Sequence, residues 1–81
     1  MSTIAIAYVL IITEIEKEND ILKELKNVPC VTEAHLVYGV YDIVAKVETK
    51  AVQELKEVIL TQIRRLTYVR STTTMMVMEG G

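Results

Sequence analysis

The 81-residue sequence is poor in the residues that staple or ligate, with one cysteine, one histidine, one proline and three glycines. A single cysteine cannot form an internal disulfide, and no Cys/His spacing of the zinc type occurs, so no metal or other cofactor is implied. Basic excess is also missing. Nine lysines and arginines face eleven acidic residues, for a net charge of −2, which gives little attraction for a nucleic-acid backbone. Arg64, Arg65 and Arg70 form the only basic cluster, a thin footprint for DNA. No acidic tail marks a disordered segment, and no linker or low-complexity stretch divides the chain, so residues 1–81 read as one domain. The apolar run "IAIAYVLIIT" lacks the basic flank and small-residue cleavage site of a signal peptide. It is also far shorter than the roughly 20 residues of a spanning helix. These absences point to a cytoplasmic protein, which a lone unpaired cysteine suits.

What is abundant is apolar surface. Hydrophobic residues make up 51% of the chain, and the mean hydropathy is +0.30. A chain this short buries only about 60% of the surface its unfolded form exposes. The surplus implies burial against other chains, because a large exposed apolar patch marks an interface.

The order of elements follows from periodicity. From about Thr3 to Thr13 both faces of a strand are apolar, with Ile4, Ile6, Tyr8, Leu10 and Ile12 on one side and Ala5, Ala7, Val9 and Ile11 on the other. That pattern calls for helices on one face and another sheet, from a second subunit, on the other. "EKENDILKELKNVP" has helical spacing at Ile21, Leu22, Leu25 and Val28, acidic residues at its start and lysines at its end, and Pro29 as its stop. Val31–Tyr38 and Tyr41–Glu48 read as strands joined at Gly39-Val40. Thr49 is placed as the N-cap of a helix running to about Arg64 with Val52, Leu55, Ile59 and Ile63 inward. A last strand runs Tyr68–Met78, and Gly80-Gly81 is expected as a frayed end. The result is an α+β, ferredoxin-like β-α-β-β-α-β fold, with a four-stranded antiparallel sheet and two helices on one face.

The stretch "VYGVYDIVAKV" lacks the Asn-Gly or Asp-Gly of a tight hairpin. Gly39 permits positive φ or a close backbone approach. Asp42 stands at a strand start, where aspartate is disfavoured. It can serve the turn through its own backbone, or its carboxylate can hold an ammonium group. On the last strand, "RSTTTMMVM" sets Thr72 and Thr74 on one side and Ser71 and Thr73 on the other. Their hydroxyls can bind a small polar ligand or simply be good strand formers on a half-wet face. Hairpin and last strand together suggest a pocket for an α-amino acid, with Asp42 on the ammonium and threonine hydroxyls and backbone N–H groups near Gly39 on the carboxylate.

The Gly-x-Tyr-Asp motif of "LKNVPCVTEAHLVYGVYDIVAKV", lying between two strands, and the ending "YVRSTTTMMVM" after a helix resemble the C-terminal effector-binding (RAM) domain of the Lrp/AsnC transcription regulators. The resemblance covers nearly the whole chain. It implies dimers paired sheet to sheet, further association into rings, and amino acids bound where dimers meet. By position it assigns ligand-binding roles to Gly39, Val40, Tyr41 and Asp42 in the hairpin and to Thr72 and Thr74 on the last strand. The full regulators carry a helix-turn-helix domain before this region. The present sequence starts at the first strand, so it resembles the stand-alone form, expected to sense an amino-acid effector and to act on full-length regulators through mixed assembly, without touching DNA itself.

Two other readings stand beside this one. A small dimeric ferredoxin-like enzyme, of the monooxygenase or isomerase type, would need a base near an apolar cavity, and His35 with Tyr8 and Tyr38 is the only candidate trio. A purely structural assembly partner would need no ligand. Cys30 reads as a small half-buried hydrophobe and Met75, Met76 and Met78 as core or interface packing. Glu14, Glu16, Lys17 and Glu18 read as a solvated helix start.

Overall fold

The computed structural model describes residues 4–78. Thr3 and the glycine pair at the C-terminus, both named above, lie outside the described residues. Seven elements follow in order: strand β1 (Ala5–Thr13), helix α1 (Glu18–Lys26), strands β2 (Val31–Leu36) and β3 (Ile43–Thr49), helix α2 (Val52–Val58), a π-helical turn (Ile59–Ile63) and strand β4 (Val69–Met76). The strands form one sheet in the order β2-β3-β1-β4, and every neighbouring pair is antiparallel. This is the expected β-α-β-β-α-β arrangement.

Strand alternation explains how the sheet divides its residues. Ala7, Val9 and Ile11 of β1 are completely buried, as are Ile43, Ala45 and Val47 of β3. They share a face because the register sets Ala7 against Val47, Val9 against Ala45 and Ile11 against Ile43. Ala7 and Ala45 sit opposite valines, which leaves room for Ile21 and Leu25 of α1 and Leu55, Ile59 and Ile63 from α2 and its π turn. Each fully buried aliphatic side chain of this kind contributes about 1.5–3 kcal/mol.

The other face carries the large residues of β1. Ile6, Leu10 and Ile12 are half-buried and Tyr8 is exposed. Across β4 their register partners are Met75 for Tyr8, Thr73 for Leu10 and Ser71 for Ile12. Across β3 they are Lys46 for Tyr8 and Val44 for Leu10, and β2 adds Glu33 and His35 to the same rows. Neither helix covers this face.

Several boundaries differ from the expectation. β2 stops at Leu36 and β3 begins at Ile43, so a six-residue connection replaces a two-residue turn. Its ends are closed by the Val37 N–H donating to the Asp42 carbonyl at 3.0 Å. Thr49 is not the N-cap of α2. It is the last residue of β3, its hydroxyl donates to the Ala51 carbonyl at 2.7 Å, and Ala51 occupies the cap position. Val52, in the first turn, is 49% exposed, while Val58 takes its place in the core. The helix widens after Val58, where the Arg64 N–H reaches back five residues to the Ile59 carbonyl at 3.0 Å. That turn keeps Ile59 and Ile63 inward and leaves Leu60 outside. β4 is shorter than expected at both ends.

Of the residues before α1, Lys17 does more than meet solvent: its ammonium lies 4.5 Å from the centre of the Tyr68 ring, a cation–π contact. Cys30 packs against the core as a half-buried small residue, and Met76 joins the same cluster. Met75 and Met78 remain exposed in the protomer.

Candidate functional site

The connection between β2 and β3, residues 37–42, is held at one end and open at the other. Gly39 has φ +127°, a conformation that side-chain-bearing residues rarely adopt. A Cβ there would meet nothing within 4 Å, so the backbone, not the space, asks for glycine. On either side of it Tyr38 is fully exposed and Val40 is 80% exposed.

Asp42 anchors the held end. Its N–H donates to the Ile11 carbonyl at 2.9 Å. Its Oδ2 accepts from the Thr13 N–H at 2.9 Å and lies 3.5 Å from the Thr13 hydroxyl. The aspartate that seemed out of place at a strand start therefore satisfies a backbone donor on β1, 29 residues away in sequence. The same carboxylate lines a concavity of about 320 Å³ together with Glu18, Leu36, Val37 and Tyr38. Two carboxylates on an otherwise apolar wall suit an ammonium group and repel a carboxylate.

Tyr41 crosses in another direction, its hydroxyl donating to Thr73 Oγ1 at 3.3 Å. Thr73 belongs to the uncovered sheet face, opposite Leu10. Thr72 and Thr74 stand opposite Ile11 and Val9, and so point toward the helix side. Asp42 is bonded along one edge of β1, whereas β4 is paired along the other. The Asp42 carboxylate is bonded to Thr13 on β1, and no hydrogen bond among the described residues joins it to Thr72 or Thr74.

Of the loop and strand singled out from the sequence, the structure joins Tyr41 to Thr73 rather than to Thr72 or Thr74. Glu18 and Thr13 were missed as well. No local pattern marks them, because their roles come from where the start of α1 and the end of β1 meet the connection.

His35 is exposed on β2, at an open concavity of about 450 Å³ that Lys26 and Thr32 also line. Its Nε2 donates to Glu33 Oε1 at 3.2 Å. Lys46 Nζ lies 3.7 Å from the other oxygen of Glu33. The His35 hydrogen bond is the main reason the Glu33 carboxyl is held below the usual range, with slight desolvation opposing and the Lys46 charge adding to it. Tyr8 lies across β3 from β2, and Tyr38 is in the open loop, so the trio required for a small enzyme does not assemble in the protomer. No helix among the described residues is long and apolar enough to cross a membrane, and none of their acidic, histidine and cysteine side chains form a group able to hold a metal ion.

Comparison with known proteins places these features in a family. The crystal structure of FFRP-DM1 superimposes with a TM-score of 0.88 at 35% identity, over 91% of this chain and 99% of that one. AsnC of E. coli matches at 26% identity with a TM-score of 0.88, over 94% of this chain, which spans about half (52%) of the AsnC chain. The regulator NMB0573 of Neisseria meningitidis, solved as a complex with L-Met, shares the fold at 13% identity with a TM-score of 0.82, over 93% of this chain and 50% of that one. No curated protein sequence matches. The model of the Lrp/AsnC ligand-binding domain matches residues 6–80, and the chain belongs to that family.

Proposed function

We propose that this chain is an amino-acid-responsive assembly module that acts on Lrp/AsnC-type transcription regulators. The observation that carries the reading is the open acidic concavity at Asp42. Its carboxylates stand beside the exposed Tyr38 and Val40, and a second copy docking on that loop would close the pocket around one small ligand. The uncovered sheet face supplies the means. Ile6, Tyr8, Leu10 and Ile12 form an apolar stripe that a second sheet would cover, and Tyr38 and Val40 offer apolar contacts for a further level of association.

In this account two chains pair sheet to sheet, and such dimers meet through residues 37–42 to form a ring. An effector enters at that meeting point. The carboxylates of Asp42 and Glu18 take its ammonium, Gly39 and Val40 bring backbone groups close, and Tyr41 and the threonines of β4 shape the remainder. The ligand makes no covalent bond. It shifts the population toward the assembly it binds best. L-Met on the NMB0573 regulator supports amino acids as the effector class. AsnC, about half of which corresponds to this chain, is the kind of longer protein carrying the same domain that such a module would act on.

Native mass spectrometry of the purified protein, with and without a mixture of amino acids, tests assembly and ligand together. A dimer or larger ring that retains an amino acid is the expected result. A monomer that persists, or no bound ligand across the mixture, overturns the reading. Calorimetry on Asp42→Asn refines it. The amide oxygen still accepts from the Thr13 N–H while the negative charge is gone, so binding should weaken about tenfold or more with the fold intact.

A further inference from the structure

All three arginines of the chain fall within seven residues, at Arg64, Arg65 and Arg70. Their placement is unlike that of the lysines. Lys17 reaches Asp20 and Lys46 reaches Glu33, whereas no arginine forms an ion pair with a described residue. Arg64 follows directly on the π turn, where a cation suits the carbonyl end of a helix. That accounts for Arg64 and Arg65 but not for Arg70, which is on β4.

Arg64 and Arg70 meet in one small concavity of about 210 Å³, lined also by Val69, Ser71 and Thr72. The backbone between them is fixed by three short bonds. The Leu66 N–H donates to the Ile63 carbonyl at 3.1 Å, the Val69 N–H to the Leu66 carbonyl at 3.1 Å, and the Glu14 N–H to the Tyr68 carbonyl at 2.8 Å. Leu66 and Val69 also pack against the core. The backbone that carries the two arginines is thus held, and both side chains are exposed. Among the described residues no acidic side chain forms an ion pair with either arginine. Arg65 does not line the concavity.

We infer that the cup formed by Arg64, Arg70 and Thr72 binds the phosphoryl group of a small phosphorylated metabolite. Guanidinium forks match the paired oxygens of an oxyanion, and the Thr72 hydroxyl adds a donor. Together they offer more donors than the two oxygens of a carboxylate can use, and the three terminal oxygens of a phosphoryl group accept them better. The cup is too small to follow a nucleic-acid backbone, and the net charge of −2 gives no wider basic track. This cup is separate from the acidic concavity at Asp42 but shares Thr72 with the wider amino-acid site proposed above, and it rests on Arg64 and Arg70 rather than on that reading.

Labelling of the full-length protein with an arginine-selective dicarbonyl, read by peptide mass spectrometry, tests the inference. The probe is inorganic phosphate, compared with acetate and chloride at equal ionic strength. Phosphate should protect Arg64 and Arg70 saturably and leave Arg65 reactive. Calorimetric phosphate affinity should fall about tenfold in both Arg64→Gln and Arg70→Gln, and be unchanged in Lys56→Gln on α2. Equal protection of all three arginines, equal protection by acetate or chloride, or affinity indifferent to both substitutions would overturn the inference. Protection by a short DNA duplex at lower concentrations than phosphate would also overturn it, in favour of a nucleic-acid contact.

Discussion

The two faces of the sheet are built from the same four strands and reach opposite outcomes. On the helix side Ala7, Val9 and Ile11 are sealed completely. One residue along the chain in each case, Tyr8, Leu10 and Ile12 remain partly or largely accessible. The buried side is the one with smaller residues, because alanines at positions 7, 34 and 45 let helices approach. The larger residues of β1 project from the face that neither helix reaches. Hydrophobic content alone therefore does not say where a core is. A core needs apolar residues and something to close over them, and this chain supplies the closure for only one of its two apolar surfaces.

Substitutions one residue apart should separate the two surfaces. Ile11→Ala opens a cavity in the sealed face and should cost about 2–5 kcal/mol, a large part of the roughly 5–15 kcal/mol that holds a domain together. Urea denaturation should show that loss at every protein concentration. Leu10→Lys puts a charge into the open stripe and should leave a dilute protomer folded. It should raise the concentration needed for self-association about 100-fold or more, because pairing would bury an uncompensated charge. Its apparent loss of stability should therefore grow with protein concentration, and sedimentation should show the smaller species. If Leu10→Lys associates like the original chain, the open face is not the interface.

The same contrast explains how far the sequence could be read. Alternation over β1 marked both faces as apolar and told which residues share a side, and helical spacing at Ile21 and Leu25 located α1. The Thr49 cap failed because its hydroxyl turned to the Ala51 carbonyl, a choice set by how β3 leaves the sheet. Val52 carried the right spacing but fell in a first turn that the sheet does not reach. The contacts of the loop and the last strand were not legible in the sequence. Tyr41 meets Thr73 and Asp42 meets Thr13 through strand register, and register between distant segments is written in the packing of the whole sheet rather than in either segment.

Asp42 offers a sharper cut between holding the loop and binding a ligand. Asp42→Ala leaves the Thr13 N–H without its partner and should cost about 1–3 kcal/mol, visible as a lower denaturation midpoint and faster hydrogen exchange at Thr13. Asp42→Asn should recover most of that stability while still losing the ammonium contact. Equal stability in all three proteins would remove Asp42 from the structural account and leave only its role toward a ligand.

The smallest effect concerns the polar end of the open face. Glu33 binds protons less readily in the fold than in the unfolded chain, chiefly because it accepts the His35 hydrogen bond, and Lys46 adds its charge. The unfolded chain therefore takes up the Glu33 proton first as pH falls. The associated stability is complete above the ordinary glutamate range and disappears as pH drops through the lowered folded value. Glu33→Gln should flatten this acid-side slope and change stability near neutrality only slightly, as for other solvent-screened surface pairs. In the assembled protein the same carboxylate would lie beside a second sheet, where lost screening strengthens its interactions. Comparing Glu33→Gln with the original chain at low and high protein concentration then reads whether the open face is covered. A larger acid-side difference in the concentrated sample places Glu33 against a partner, and an identical difference leaves it in solvent.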